Sequence, residues 1–238
     1  MFGFGKNENE IKADIASGAS SLSAVYVSET GLVRTENQDN VLFSIGHRVF
    51  CVADGVGGVA DGAHASEIVC REVRMMMQAS EPDFSSRLIA IRNALADANE
   101  VIYGLSADAR MGSTAAVLLF DPDDVTRAGV VWVGDSRIYR IRHGMPVLLT
   151  RDHRLADKNL LTRAVGASSA VVSDARTVDV QKGDRFVICT DGVYSVVSDG
   201  RIATYAASGS LESAAERLAA EVVRRGAPDN YTFVLVQA

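Results

Sequence analysis

The sequence predicts an α+β fold in which antiparallel sheets are covered by helices. Three observations carry this prediction. Runs of β-branched and aromatic residues recur along the chain, most of them joined by short turn-like connections. Helix-like stretches come in adjacent pairs instead of alternating one-for-one with strands. No internal repeat, low-complexity tract or Pro-rich linker divides the chain.

Residues 1–20, MFGFGKNENEIKADIASGAS, carry charges throughout and have no continuous apolar core, so they read as a flexible leader and not as a signal peptide. Residues 21–238 read as one domain. SLSAVYVSET alternates as a strand does, and DNVLFSI and RVFCVAD are strands joined through IGHR. From Asp61 the period changes: Ala65, Ile68, Val69, Val73 and Met76 fall on one helical stripe. A second amphipathic helix follows in SSRLIAIRNALADANEVIYGLSA, with Ser85 or Ser86 as its N-cap. STAAVLLFD, AGVVWVGD, RIYRIRHG, MPVLLT, TVDVQKGD and RFVICTDG are strands. Two helices come next, near DGRIATYAAS and LESAAERLAAEVVRR, the latter ended by Gly226 and Pro228. YTFVLVQA closes the domain as a strand too apolar to stand alone.

The 238 residues are 47% hydrophobic and 23% charged, ample for a core. A net charge of −6 argues against nucleic acid or an anionic membrane as partner. Cys51, Cys70 and Cys189 are widely spaced and form no CxxC pair, which fits buried thiols in a reducing compartment. No run approaches the roughly 18 apolar residues of a membrane span, and a cytoplasmic monomer is expected.

Asp54 in VADGVGG, Asp135 in VWVGDSR and Asp191 in VICTDGV each end an apolar strand, while Asp229 in APDNYTF and Asp39 in NQDNVLF each precede one. Taken singly, these are ordinary turn residues. Jointly, strand ends are where distant side chains converge, and converging carboxylates repel by several kcal/mol unless compensated. Oxygen donors without paired His or Cys suit Mg²⁺ or Mn²⁺. Arg34 beside such a site offers a planar, permanently charged fork for phosphate. The chain has no GxSxG, Cys-x5-Arg or SxxK motif, so water activated by metal is the candidate nucleophile for phosphate-ester hydrolysis.

RTENQDN, VADGVGG, GSTAAVLLF, VWVGDSRIYRIR, LTRDH, LTRAVG, ICTDGVYSVVSD and PDNYTFVLV resemble, in order, the motif series of the metal-dependent PPM (type 2C) Ser/Thr protein phosphatases, in the spacing of their bacterial branch. The resemblance spans roughly residues 21–237 and makes 21–238 a single phosphatase domain. It implies an α-β-β-α four-layer sandwich, two antiparallel sheets flanked by helix pairs, with two Mn²⁺ or Mg²⁺ ions at one end and a third, weaker one beside them. By resemblance, Asp54 bridges two ions, the Gly55 carbonyl binds one of them, and Asp191 and Asp229 complete the first ion's protein ligands. Asp39 holds water around them, Asp135 binds the third ion with Asp191, and Arg34 grips the substrate phosphate. Arg34, Asp54 and Asp191 are thus the catalytic set. The implied substrate is a phosphoserine or phosphothreonine protein, a Hanks-type kinase or its targets. The family's other roles are a phosphatase of an anti-sigma-antagonist-type partner and a non-catalytic pseudophosphatase.

The sequence departs from the family in two places. Many eukaryotic members carry a histidine directly after Asp-Gly, where this chain has Val56; His64 is a weak substitute, His153 reads as a loop-fixing hydrogen-bonder, and His47 and His143 sit in turns. Between LTRDH and LTRAVG only residues 154–160, RLADKNL, replace the longer flap usual in bacterial relatives, which predicts a more open site. A dinucleotide reading of Gly55, Gly57 and Ala60 fails because Asp54 would repel a pyrophosphate.

Overall fold

The computed structural model describes residues 12–15, 22–57, 59–79, 83–105, 111–155 and 160–238. In chain order the described elements are β1 (Lys12–Ile15), β2 (Ser23–Glu29), β3 (Asp39–Ser44), β4 (Val49–Val56), α1 (Val59–Ala79) and α2 (Phe84–Leu105). Then come β5 (Gly112–Ser113), β6 (Ala115–Phe120), β7 (Arg127–Val133), β8 (Arg137–Arg142), β9 (Met145–Leu148), β10 (Asp174–Asp179) and β11 (Arg185–Cys189). The last are α3 (Asp191–Tyr194), α4 (Asp199–Ala206), α5 (Leu211–Arg224) and β12 (Tyr231–Gln237).

The strands form two antiparallel sheets. One runs β1-β2-β12-β11-β8-β9, the other β10-β7-β6-β4-β3, with β5 paired to the end of β4. Strand period 2 explains the unbroken apolar runs in the sequence, because each inner strand feeds two cores. In β6, Ala116, Leu118 and Phe120 point between the sheets, whereas Ala115, Val117 and Leu119 pack under α1 and α2. In β12, Val234 and Val236 face the other sheet, and Tyr231, Phe233 and Leu235 pack against α4 and α5. Helix pair, sheet, sheet and helix pair give the α-β-β-α sandwich. Between the sheets Tyr26, Phe43, Phe50, Phe120 and Phe186 form a chain of tilted and edge-on rings with centroids 5.1–6.4 Å apart. Each such contact adds about 0.5–1.5 kcal/mol beyond its buried area.

Two local expectations change. Asp83, not Ser85 or Ser86, caps α2: its Oδ1 accepts from the Ser86 N–H at 3.1 Å, and both serines lie inside the helix. Within the leader expected over residues 1–20, Lys12–Ile15 is an edge strand antiparallel to β2, with Lys12 opposite Tyr26. The rest of that leader lies outside the described residues.

Candidate metal centre and active site

The acids are delivered by strand geometry from both sheets. Asp39 and Asp54 stand opposite one another in the β3–β4 ladder, so both side chains leave the sheet on the same face. Asp135 lies in the turn after β7, Asp191 begins α3 directly after β11, and Asp229 precedes β12. Asp54, Asp135, Asp191 and Asp229 line one cavity of about 640 Å³ together with Arg34, Gly55 and Val56. Asp39 lies behind them, where the Thr190 hydroxyl donates to its Oδ2 at 2.8 Å.

The backbone around Asp54 is pinned from three sides. Its N–H donates to Thr114 Oγ1 at 2.9 Å, its carbonyl accepts from the Thr114 N–H at 2.8 Å, and the Gly55 N–H donates to the Gln38 carbonyl at 3.1 Å. Gly55 has to be glycine, because a Cβ there would lie 2.0 Å from the Gly62 carbonyl oxygen in the first turns of α1. That approach seats α1 against the strand carrying Asp54. Asn230 fixes the Arg34 loop: its Nδ2 donates to the carbonyls of Thr30 and Glu36 at 2.8 Å each, and its Oδ1 accepts from the Gln38 N–H at 2.9 Å.

Burial and mutual repulsion disfavour the charged forms of these acids. Burial pushes Asp39 up to about 7, an effect that the hydroxyls of Thr190 and Thr232 oppose. Burial, then the charges of Asp39, Asp191, Asp135 and Asp229, raise Asp54 well above the usual carboxylate range. Asp191 rises to about 6 through burial and the neighbouring Asp135 and Asp229, and it shares a hydrogen bond with Asp54. Asp135 is raised by burial, with Arg154 opposing.

Among the described residues, no three His, Cys, Asp or Glu side chains are gathered closely enough to hold a metal ion between them. The hydrogen bonds explain why. Asp229 is turned onto Arg34 (2.8 Å), Asp135 onto Arg154 (3.2 Å) and Asp39 onto Thr190, which leaves Asp54 and Asp191 as the close pair. The donor set still fits hard divalent cations. It consists of carboxylates and backbone carbonyls, and the raised acids mark negative charge that the protein alone does not compensate.

The histidines stand elsewhere. His64, on α1, lies 3.6 Å from Glu67 and lines a separate cavity with Asn40, Arg71 and Arg74. His153 fixes a loop: its Nδ1 accepts from the Gly134 N–H at 3.1 Å, which leaves the proton on Nε2, 3.1 Å from Asp174 Oδ2.

A model of the family "Protein phosphatase 2C" matches residues 33–230. The chain belongs to the protein phosphatase 2C family. It is 31% identical over 229 residues to the serine/threonine protein phosphatase PstP of Mycobacterium tuberculosis, covering 87% of this chain and 43% of that one. The chain therefore spans less than half of that relative. Among solved structures, PppA, a key regulatory component of T6SS in Pseudomonas aeruginosa, matches with a TM-score of 0.85 and 30% identity, covering 91% of this chain and 97% of the other. The catalytic domain of PstP in complex with two manganese ions matches with a TM-score of 0.78 and 30% identity, again covering 91% and 97%. A dinuclear metal site is thus a feature of this protein phosphatase 2C family.

Four residues of the site carry no role in the sequence reading: Asn230, Thr190, Arg154 and Tyr194. Asn230 and Thr190 sit inside quoted motifs, beside the aspartates that draw the eye. The side-chain partners of Asn230 are 192–200 residues away and Asp39 is 151 residues from Thr190, and no local spacing signals them.

Proposed function

We propose that this chain is a Mn²⁺- or Mg²⁺-dependent phosphatase of phosphoserine and phosphothreonine proteins, acting against a Hanks-type kinase or its targets. The observation that carries the reading is the convergence of Asp54, Asp135, Asp191 and Asp229 on one cavity with Arg34 at its mouth. Asp54, the Gly55 carbonyl, Asp191 and Asp229 would hold two ions, with Asp39 supporting them from behind. When bound, such ions activate water as nucleophile and offset charge on the phosphoryl oxygens. Arg34, half-exposed at the rim, binds the phosphate through two parallel N–H donors and orients it for in-line attack. Asp229 has two oxygens and can keep Arg34 on one while offering the other to an ion. Thr190 and Asn230 keep Asp39 and the Arg34 loop in place. Val56, in the place of the histidine that many eukaryotic members carry, has no proton to give the leaving seryl or threonyl oxygen.

A protein substrate suits the cavity's shape. It runs on from the acids along Val56, Met111, Gly112, Leu160, Ala164 and Ala167, with far more room than a phosphate needs. Leu160 is exposed beside it. The relatives named as serine/threonine phosphatases support the same substrate class. Hydrolysis of p-nitrophenyl phosphate and of a phosphothreonine peptide with Mn²⁺, each repeated with chelator, tests the reading. Metal-dependent turnover of both is expected, and its absence would leave a binding module.

A further inference from the structure

Arg154 opens the seven-residue connection that replaces the expected flap, and the structure ties it to the acid site. The connection is closed at its base: Arg154 bridges Leu161, the Leu155 N–H donates to the Leu160 carbonyl at 3.0 Å, and the Thr162 N–H donates to the His153 carbonyl at 2.8 Å. His153 is in turn locked to the residue before Asp135. Its N–H donates to the Gly134 carbonyl at 2.9 Å, and the Gly134 N–H donates back to His153 Nδ1 at 3.1 Å. Arg154 follows His153 and Asp135 follows Gly134, so this double link sets the arginine beside the acid. Its Nη1 lies 3.2 Å from Asp135 Oδ2 and 3.4 Å from the Tyr194 hydroxyl, which also donates to Asp135. The side chain is only 24% exposed, so solvent screens the pair less than an ion pair on an open surface.

We propose that Arg154 stands in for a third cation at Asp135, so that this chain works with two ions and a built-in guanidinium. The inference rests on the metal-dependent reading above. A divalent ion on Asp135 would face the guanidinium across a carboxylate only 10% exposed, where solvent screens the repulsion far less than at the open Arg34–Asp229 pair. Unlike an ion, the guanidinium cannot dissociate, be chelated or lose its charge at any working pH. Arg154 is a positioning residue: it holds Asp135, which borders Asp191, and does not line the acid cavity.

Calorimetric titration of the chelator-treated full chain with MnCl₂ tests this. The parent and Arg154→Lys should each take up two equivalents. Arg154→Gln and Arg154→Ala should take up a third, weaker equivalent, and adding Asp135→Asn to Arg154→Gln should remove it. Three equivalents in the parent, or two in every variant, would overturn the role of Arg154 while leaving the metal-dependent reading intact. No uptake by any protein would overturn that reading, and the proposal with it. Circular dichroism of each variant separates a lost fold from a changed site.

Discussion

The Arg34 guanidinium stands 2.8 Å from Asp229 Oδ2, with the arginine side chain 55% and the aspartate 35% exposed. A pair this open contributes about 0–1 kcal/mol, so a phosphate can share or displace it at little cost. Arg34→Ala should therefore raise KM for a phosphopeptide about 10- to 100-fold, in line with a lost bidentate ionic contact of roughly 1.5–3 kcal/mol. Steady-state kinetics should find kcat changed less than KM, and calorimetry should find the Mn²⁺ stoichiometry unchanged. Arg34→Lys should restore only part of the loss, because a point charge cannot grip two oxygens.

Asp54→Asn should abolish Mn²⁺ uptake and turnover while stabilising the metal-free fold. Burial and four neighbouring acids disfavour the Asp54 carboxylate, and the neutral amide removes that cost. A relief of about 1–2 kcal/mol corresponds to a rise in Tm of roughly 2–8 °C in a domain of this size. Thermal unfolding in the presence of chelator measures it, and an unchanged or lower Tm contradicts the electrostatic account.

The stability of the metal-free protein should fall as pH rises from 4 to 7. Asp39, at about 7, and Asp191, at about 6, lie above their unfolded value of 3.8. Over that window the folded state binds more protons than the unfolded chain, so each pH increment favours unfolding. Mn²⁺ should flatten or reverse the slope. A series of thermal melts across this range, with and without metal, decides it.

Glu221 works in the opposite sense. Hydrogen bonds from Arg224 and Arg225 hold its carboxyl down at about 2, below its unfolded value of 4.5. Its contribution is complete above that unfolded value and is lost as pH falls toward the folded one. Glu221→Gln should lower Tm at neutral pH and make the acid limb of the stability curve shallower between those values.

Val56 and Leu160 are exposed on the wall that leads away from the acids. Val56→Glu with Leu160→Glu should lower kcat/KM by about 30-fold or more for phosphopeptides with apolar flanking residues, since each apolar contact of this kind contributes about 1–3 kcal/mol. Turnover of p-nitrophenyl phosphate, which lacks flanks, should stay unchanged. Equal losses on both substrates would mean that the wall shapes the acid site itself.

Much of the fold is legible in the sequence because its signals are local. The stripe of Ala65, Ile68, Val69 and Val73 is buried under one sheet, and the β6 and β12 runs are apolar on both faces because each serves two cores. The aspartates also stand out, since each sits at a strand end beside a turn residue. The partnerships do not. Arg34 and Asp229 are 195 residues apart, and Asp39 and Thr190 are 151 apart. The Arg154–Asp135 contact depends on a histidine bridge that only three-dimensional packing creates. The cap at Asp83 stands ahead of Phe84, the first residue of α2, where the apolar period gives no mark of it.

Asp39 and Asp54 come from one sheet, Asp191 and Asp229 from the ends of strands of the other, and Asp135 from the turn that joins the two. An ion held among them therefore rivets the two halves of the sandwich together. Occupancy then becomes a property of the whole molecule: a chain whose layers have parted has no place left to receive the metal. Under the proposed reading, the concentration of divalent metal would thereby set both how much of the protein is active and how stably it is folded, through one and the same binding event.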